Sequence, residues 1–174
     1  MDIIIQTSSF DATTGVLMIG NARYDCTLGK NGVTLDKREG DGKTPIGTYP
    51  LRKLLYRADR MPELQTGIPV EPLTPQTGWC EDPSHADYNK QVLLPHDSVH
   101  DKMTRDDHLY DLAVVIGYND DPVKPGKGSA IFMHLAREEM TPTAGCIGLA
   151  MENMLVVLSM IDSDTHITIL PPRG

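Results

Sequence analysis

The residues best suited to chemistry lie in SAIFMHLA, residues 129–136, and TPTAGCIGLA, residues 141–150. His134 closes the apolar stretch, and Cys146 follows twelve positions later between Gly145 and Ile147. A thiol is a poor nucleophile and a thiolate a strong one, so cysteine catalysis needs a nearby base or a positive field. His134 is of the right type to be that base. Gly145 keeps the backbone uncrowded, so the N–H groups of Gly145 and Cys146 can point into a cleft as an oxyanion hole. A helix starting near residue 151 adds a weak positive end. Nucleophile, base and oxyanion donors are the parts of an acyl-transfer site. On these two residues alone, a buried thiol is the simpler reading, because free cysteine is among the most buried residue types.

Such a pair works only if strands and turns hold it. IIIQT, VLMIG and ARYDCTL near the N-terminus read as short strands, with a tight turn at Gly20-Asn21. DKREGDGKTPIGTYPL, residues 36–51, reads as an ordered loop entering a strand. Residues 61–90 hold many prolines and the single Trp79, and read as a long irregular excursion. LYDLAVVIGYN and SAIFMHLA are strands. MENMLVVLSMID places apolar residues at 151, 154, 155, 158 and 161, which is helical spacing, and THITIL closes the chain as a strand. About seven or eight strands and one helix predict a mainly β domain, a sandwich or partly open barrel of mixed sheets, spanning residues 1–174 as one unit.

Composition narrows the function classes. The formal net charge of −8 argues against a phosphate-binding surface and hence against nucleic acid. No apolar run reaches the ~18 residues of a membrane span, and no secretory signal is visible in MDIIIQTSSFD. Three cysteines, Cys26, Cys80 and Cys146, make neither a disulfide framework nor a zinc ribbon.

The wider pattern resembles the L,D-transpeptidase (YkuD-type) catalytic domains of bacterial cell-wall enzymes. Their signature is a histidine, a spacer of about a dozen residues, then Ser/Thr-x-Gly-Cys and a helix. His134, Thr143, Gly145 and Cys146 match it in turn, and GDGKTPIGTYPL resembles the family's TPxG segment. Residues 79–83, 105–107 and 109–112 resemble a compact bacterial subgroup. The resemblance implies an L,D-transpeptidase-like fold and a two-step acyl transfer without a cofactor or metal. In it Cys146 attacks a peptidoglycan stem peptide, His134 moves the protons, and a second stem's amine accepts the acyl group. With water as acceptor the enzyme is a carboxypeptidase. The resemblance also implies a bacterial cell envelope or periplasmic location, a role in cell-wall and cell-shape biogenesis, and acylation by carbapenems. A monomer is expected.

One position departs from the family. Many members carry arginine two residues after the cysteine, where this chain has Gly148, so Arg105 and Arg137 are candidates for the vacated role. Ala144, within the cysteine loop, is counted with the substrate-binding residues. His100 is a candidate lining of the stem-peptide groove, and Trp79 and Tyr88 are candidate walls, since aromatic faces bind sugar and peptide well. His96, His100 and His108 carry the alternative from another class, a zinc peptidase, because positions 96 and 100 have ligand spacing on a helix. A peptidoglycan-binding module without catalysis is a third reading, which an intact Cys–His pair opposes.

Overall fold

The computed structural model describes residues 1–173. In chain order these form β1 (Ile3–Gln6), β2 (Thr14–Ile19), β3 (Ala22–Thr27), β4 (Val33–Thr34), β5 (Thr44–Pro45), β6 (Gly47–Tyr56) and β7 (Val70–Pro72). There follow β8 (Thr77–Cys80), β9 (Gln91–Leu93), β10 (His100–Lys102), β11 (Leu112–Ile116), β12 (Phe132–Leu135), β13 (Ile147–Leu149), α1 (Met151–Met160) and β14 (His166–Ile169).

Nine strands make the main sheet, in the order β11-β12-β13-β3-β2-β1-β14-β6-β7. β6 also pairs with β11, so the sheet curls until its two sides meet and becomes barrel-like. The ten-residue β6 allows this by pairing with β14 through residues 47–50 and with β11 through residues 51–56. Both parallel and antiparallel pairs occur: β1–β14 and β12–β13 run parallel, most others antiparallel. The mainly β, mixed-sheet architecture is the one expected from the sequence.

Alternation along the strands divides the protein into two cores. On β11, Leu112, Val114 and Ile116 face the barrel interior with Met133 and Leu135 of β12. Ala113 and Val115 point the other way, into a second core with Leu55, Trp79, Met103, Tyr110, Phe132 and Cys146. β11 and β12 are buried on both faces, which is why their sequences run apolar without alternation. α1 buries Met154, Val157 and Leu158, one helical stripe, in the barrel core.

The second core is roofed by a small sheet of order β10-β8-β9. This corrects the reading of residues 61–90 as irregular: Thr77–Cys80 is a strand, paired with β9 and β10. Three- and four-residue strands broken by prolines carry no periodicity to read. Trp79 is likewise not a groove wall. It is 7% exposed, stacks edge-on against Phe132 at 5.0 Å and donates its indole N–H to Asn89 Oδ1 at 3.0 Å.

Candidate active site at the β12–β13 seam

The two-residue period decides which side chains meet. Met133, Leu135, Ile147 and Leu149 fill the barrel, so Phe132, His134, Cys146 and Gly148 fall on the opposite face. β12 and β13 are parallel neighbours with His134 beside Gly148, which sets Cys146 next to Phe132. The Phe132 N–H donates to Cys146 Sγ at 3.3 Å, and the thiol donates to Ala130 O at 3.2 Å. His134 and Cys146 both line one cavity of about 340 Å³ with Lys30, Arg105, Tyr110 and Arg137.

Both groups are neutral in this state. Burial pushes the Cys146 thiol up to about 12, with Asp101 and Glu81 adding to the effect; the Phe132 N–H and Lys37 only partly oppose it. Burial pulls His134 down to about 4, against a hydrogen bond to Leu135 O that acts the other way. That bond, Nδ1 to Leu135 O at 2.8 Å, makes Nδ1 the donor of the neutral ring and leaves the lone pair on Nε2. No hydrogen bond joins His134 to Cys146. Proton transfer between them at rest is strongly uphill, so any positive end of α1 is outweighed by burial.

The cysteine loop is held by short polar links. Thr143 Oγ1 accepts the Gly145 N–H at 3.0 Å and donates to Cys146 O at 2.7 Å. The Gly145 N–H, expected in an oxyanion hole, is therefore engaged within the loop in this state. Gly145 has φ +142, and a Cβ there would lie 2.8 Å from Lys43 O, so two features of the site require glycine. Thr44, from the TPIG segment, accepts the Gly29 N–H and donates to Gly145 O, both at 2.9 Å. That segment thus acts as a brace behind Cys146. Asp41 orders it by accepting the Arg38 and Lys43 N–H groups and pairing with Lys37.

Gly148 has a steric reason. A Cβ there would lie 2.2 Å from Thr27 Oγ1, the neighbour across β13–β3. Thr27 is fully buried, its hydroxyl has no hydrogen-bond partner among the described residues, and it contributes to the 340 Å³ cavity. An arginine at 148 would have to displace it. Arg105 and Arg137 do reach the cavity, and both pair with Asp107. Arg105 also lies 5.2 Å over the Tyr110 ring. Ala144 lines the cavity too.

Other expected residues lie elsewhere. Tyr88 is 2% exposed, donates to Glu39 Oε1 and accepts the Gly128 N–H, so it is internal rather than a wall. His100 is exposed on β10, with Nδ1 2.7 Å from Ser98 O, and lines neither cavity at Cys146. His96, His100 and His108 do not form the metal triad drawn from a helix, because His100 is in a strand and His108 bonds Ala136 O. His96 instead meets His85 and Asp87, with ligand atoms within 4.8 Å. Their nitrogens are already taken: His85 by Asp97 and the Asp87 N–H, His96 by Ser98 and Asp87. Asp101, Thr27 and the Leu135 carbonyl escape a reading of the sequence, because none belongs to a spaced motif and only the topology brings them to the seam. Glu81 and Tyr110 lie in segments that resemble the family, but nothing in those segments marks them as lining the space at Cys146.

The family model for the L,D-transpeptidase catalytic domain, YkuD, matches residues 11–169. Among solved structures, the chain is similar to Mycobacterium tuberculosis L,D-transpeptidase 1, with 14% identity and a TM-score of 0.38 over 97% of this chain. The alignment covers 58% of that structure's chain. No curated protein sequence matches significantly.

Proposed function

Because the chain belongs to the L,D-transpeptidase catalytic-domain family, we propose that it transfers the acyl group of a peptidoglycan stem peptide to an amine through a thioester on Cys146. The observation that carries this reading is the placing of Cys146 and His134 on one sheet face, opening into one cavity.

In the first step the thiol loses its proton as it attacks. With Cys146 near 12 and His134 near 4, a resting thiolate–imidazolium pair is not populated. His134 therefore acts as a general base during attack, through the Nε2 lone pair that the Leu135 carbonyl keeps available. Cys146 Sγ bonds to the carbonyl carbon of the L-centred diamino acid. The tetrahedral intermediate collapses, and the terminal D-residue leaves with the proton from His134. Lys30, Arg105 and Arg137 in the same cavity suit the carboxylate of that departing residue. In the second step an amine of another stem attacks the thioester and the thiol is regenerated; with water the outcome is carboxypeptidase activity. Such a reaction belongs in the cell envelope of a bacterium, in the periplasm where stems are exposed. The same thiol would open the lactam of a carbapenem, giving a covalent adduct on the peptide that contains Cys146.

The test is incubation with defined tetrapeptide muropeptides and product analysis by mass. Crosslinked dimers, or tripeptides with free D-amino acid, support the reading. Unchanged substrate, with protein whose Cys146 still alkylates, refutes it.

A further inference from the structure

Cys146 lines two cavities, and their linings differ in charge. The one that contains His134 has Lys30, Arg105 and Arg137 and no carboxylate. The other, about 440 Å³, shares Lys30, Arg105, Tyr110, Ala144 and Cys146 with it but adds Lys37 and three acidic residues, Glu39, Glu81 and Asp101. His134 does not reach this second space.

The three acidic residues are not equivalent. Glu39 accepts from the hydroxyls of Tyr88 at 2.6 Å and Ser129 at 2.7 Å. Asp101 accepts from Tyr110 at 3.0 Å. Two of this cavity's three cations are also committed, Lys37 to Asp41 and Arg105 to Asp107, and the third, Lys30, makes no ion pair among the described residues. Glu81 follows directly on β8, fixed by its own N–H to Val99 O at 2.9 Å, and its carboxylate has no hydrogen-bond partner among the described residues. The cavity thus holds the nucleophile and one half-buried, unpartnered carboxylate.

We infer that Glu81 is a second acid–base residue, which receives the cationic amine of the acyl acceptor in the cavity opposite His134 and takes its proton. This rests on the acyl-transfer reading of Cys146. An ammonium has no lone pair to attack with, so it must lose one proton first. Glu81 takes that proton, and the free amine adds to the thioester carbonyl. A second proton passes from the nitrogen to sulfur as the C–S bond breaks, which leaves an amide and the Cys146 thiol. Protonated Glu81 then returns its proton to solvent. Its environment suits this role, since burial, with the charges of Asp101 and Glu39, pushes its carboxyl up to about 7. A base of that strength takes a proton near neutral pH and releases it again.

The experiment separates the two half-reactions in Glu81→Gln, with a tetrapeptide muropeptide as donor and a second muropeptide as amine acceptor. Acylation is read as release of the terminal D-amino acid and as thioester mass; transfer is read as dimer formed from preformed thioester. The expected result is acylation within about threefold of wild type, with transfer slowed by about 10²-fold or more. The gap should narrow as pH falls well below 7, where Glu81 is protonated. Glu81→Asp should recover part of the transfer rate. Equal transfer in both proteins, or equal loss of acylation and transfer, overturns the inference. Wild-type protein that forms no thioester overturns the acyl-transfer reading itself, and this inference with it.

Discussion

Replacing Gly148 by alanine puts a methyl carbon 2.2 Å from Thr27 Oγ1, 3.2 Å from Ala136 Cβ and 3.4 Å from Ala136 Cα. The first distance is about 1 Å inside the closest separation that real side chains tolerate. Both residues sit in paired strands, β13 and β3, so neither backbone yields freely. Overpacking of this kind costs about 1–3 kcal/mol, and a buried sheet position belongs at the upper end. Thr27→Ala removes the obstructing atom. On its own it should be nearly neutral, within about 1 kcal/mol, because it deletes a methyl group and also a buried hydroxyl without a partner. The double variant should therefore be more stable than the sum of the single changes by about 1–3 kcal/mol. Urea unfolding reads this as a midpoint lowered by roughly 1 M in Gly148→Ala and largely restored in the double variant. Gly148→Ala within about 0.5 kcal/mol of wild type, or strictly additive effects, would refute the claim that Thr27 keeps residue 148 a glycine. Thr27 would then simply rotate aside, and the missing arginine would need another cause.

Acidification should weaken the fold through His134. Burial holds its folded-state value at about 4 against an ordinary 6.5, so the unfolded chain takes up the proton first. This contribution is fully present above about 6.5 and is lost as pH falls toward 4, by roughly 3 kcal/mol in all. Urea unfolding at pH 7 and pH 4.5 should show a larger loss in wild type than in His134→Asn; equal losses contradict the neutral buried ring. Thr44→Val leaves the buried Gly29 N–H and the Gly145 carbonyl without their shared partner. It should cost about 1–3 kcal/mol and slow acylation, read by unfolding and by D-amino acid release, and an unchanged acylation rate would separate this brace from the site.

The strongest sequence signals were those with a period or a spacing. The alternation in β1–β3, the apolar runs of β11 and β12 and the helical stripe of α1 all read directly, because each reports burial of a face. The histidine and the cysteine were visible as a spaced pair, and the parity of β12 and β13 explains why the pair faces one side. The roofing sheet β8–β9–β10 was not legible, since its strands are short and its pairings are set by packing on Phe132 and Tyr110. Trp79 and Tyr88 are buried rather than walls of a groove, and an aromatic in a loop-like sequence carries no mark of which side it faces. Glu81 and Asp101 lie twenty residues apart and meet only through the β8–β10 pairing, where His100 stands opposite Cys80. Gly148 stands out in the sequence as a departure, but its cause, Thr27, is 121 positions away in sequence and adjacent only in the folded sheet.

The central claim is that Cys146 carries the acyl group. Quenching the protein with a tetrapeptide muropeptide and mapping the intact and digested protein by mass tests it directly. The account predicts one acyl group per chain on the peptide containing Cys146, one D-amino acid released for each, and neither in Cys146→Ala. Turnover that survives in Cys146→Ala, or an acyl group found on any other residue, would contradict it.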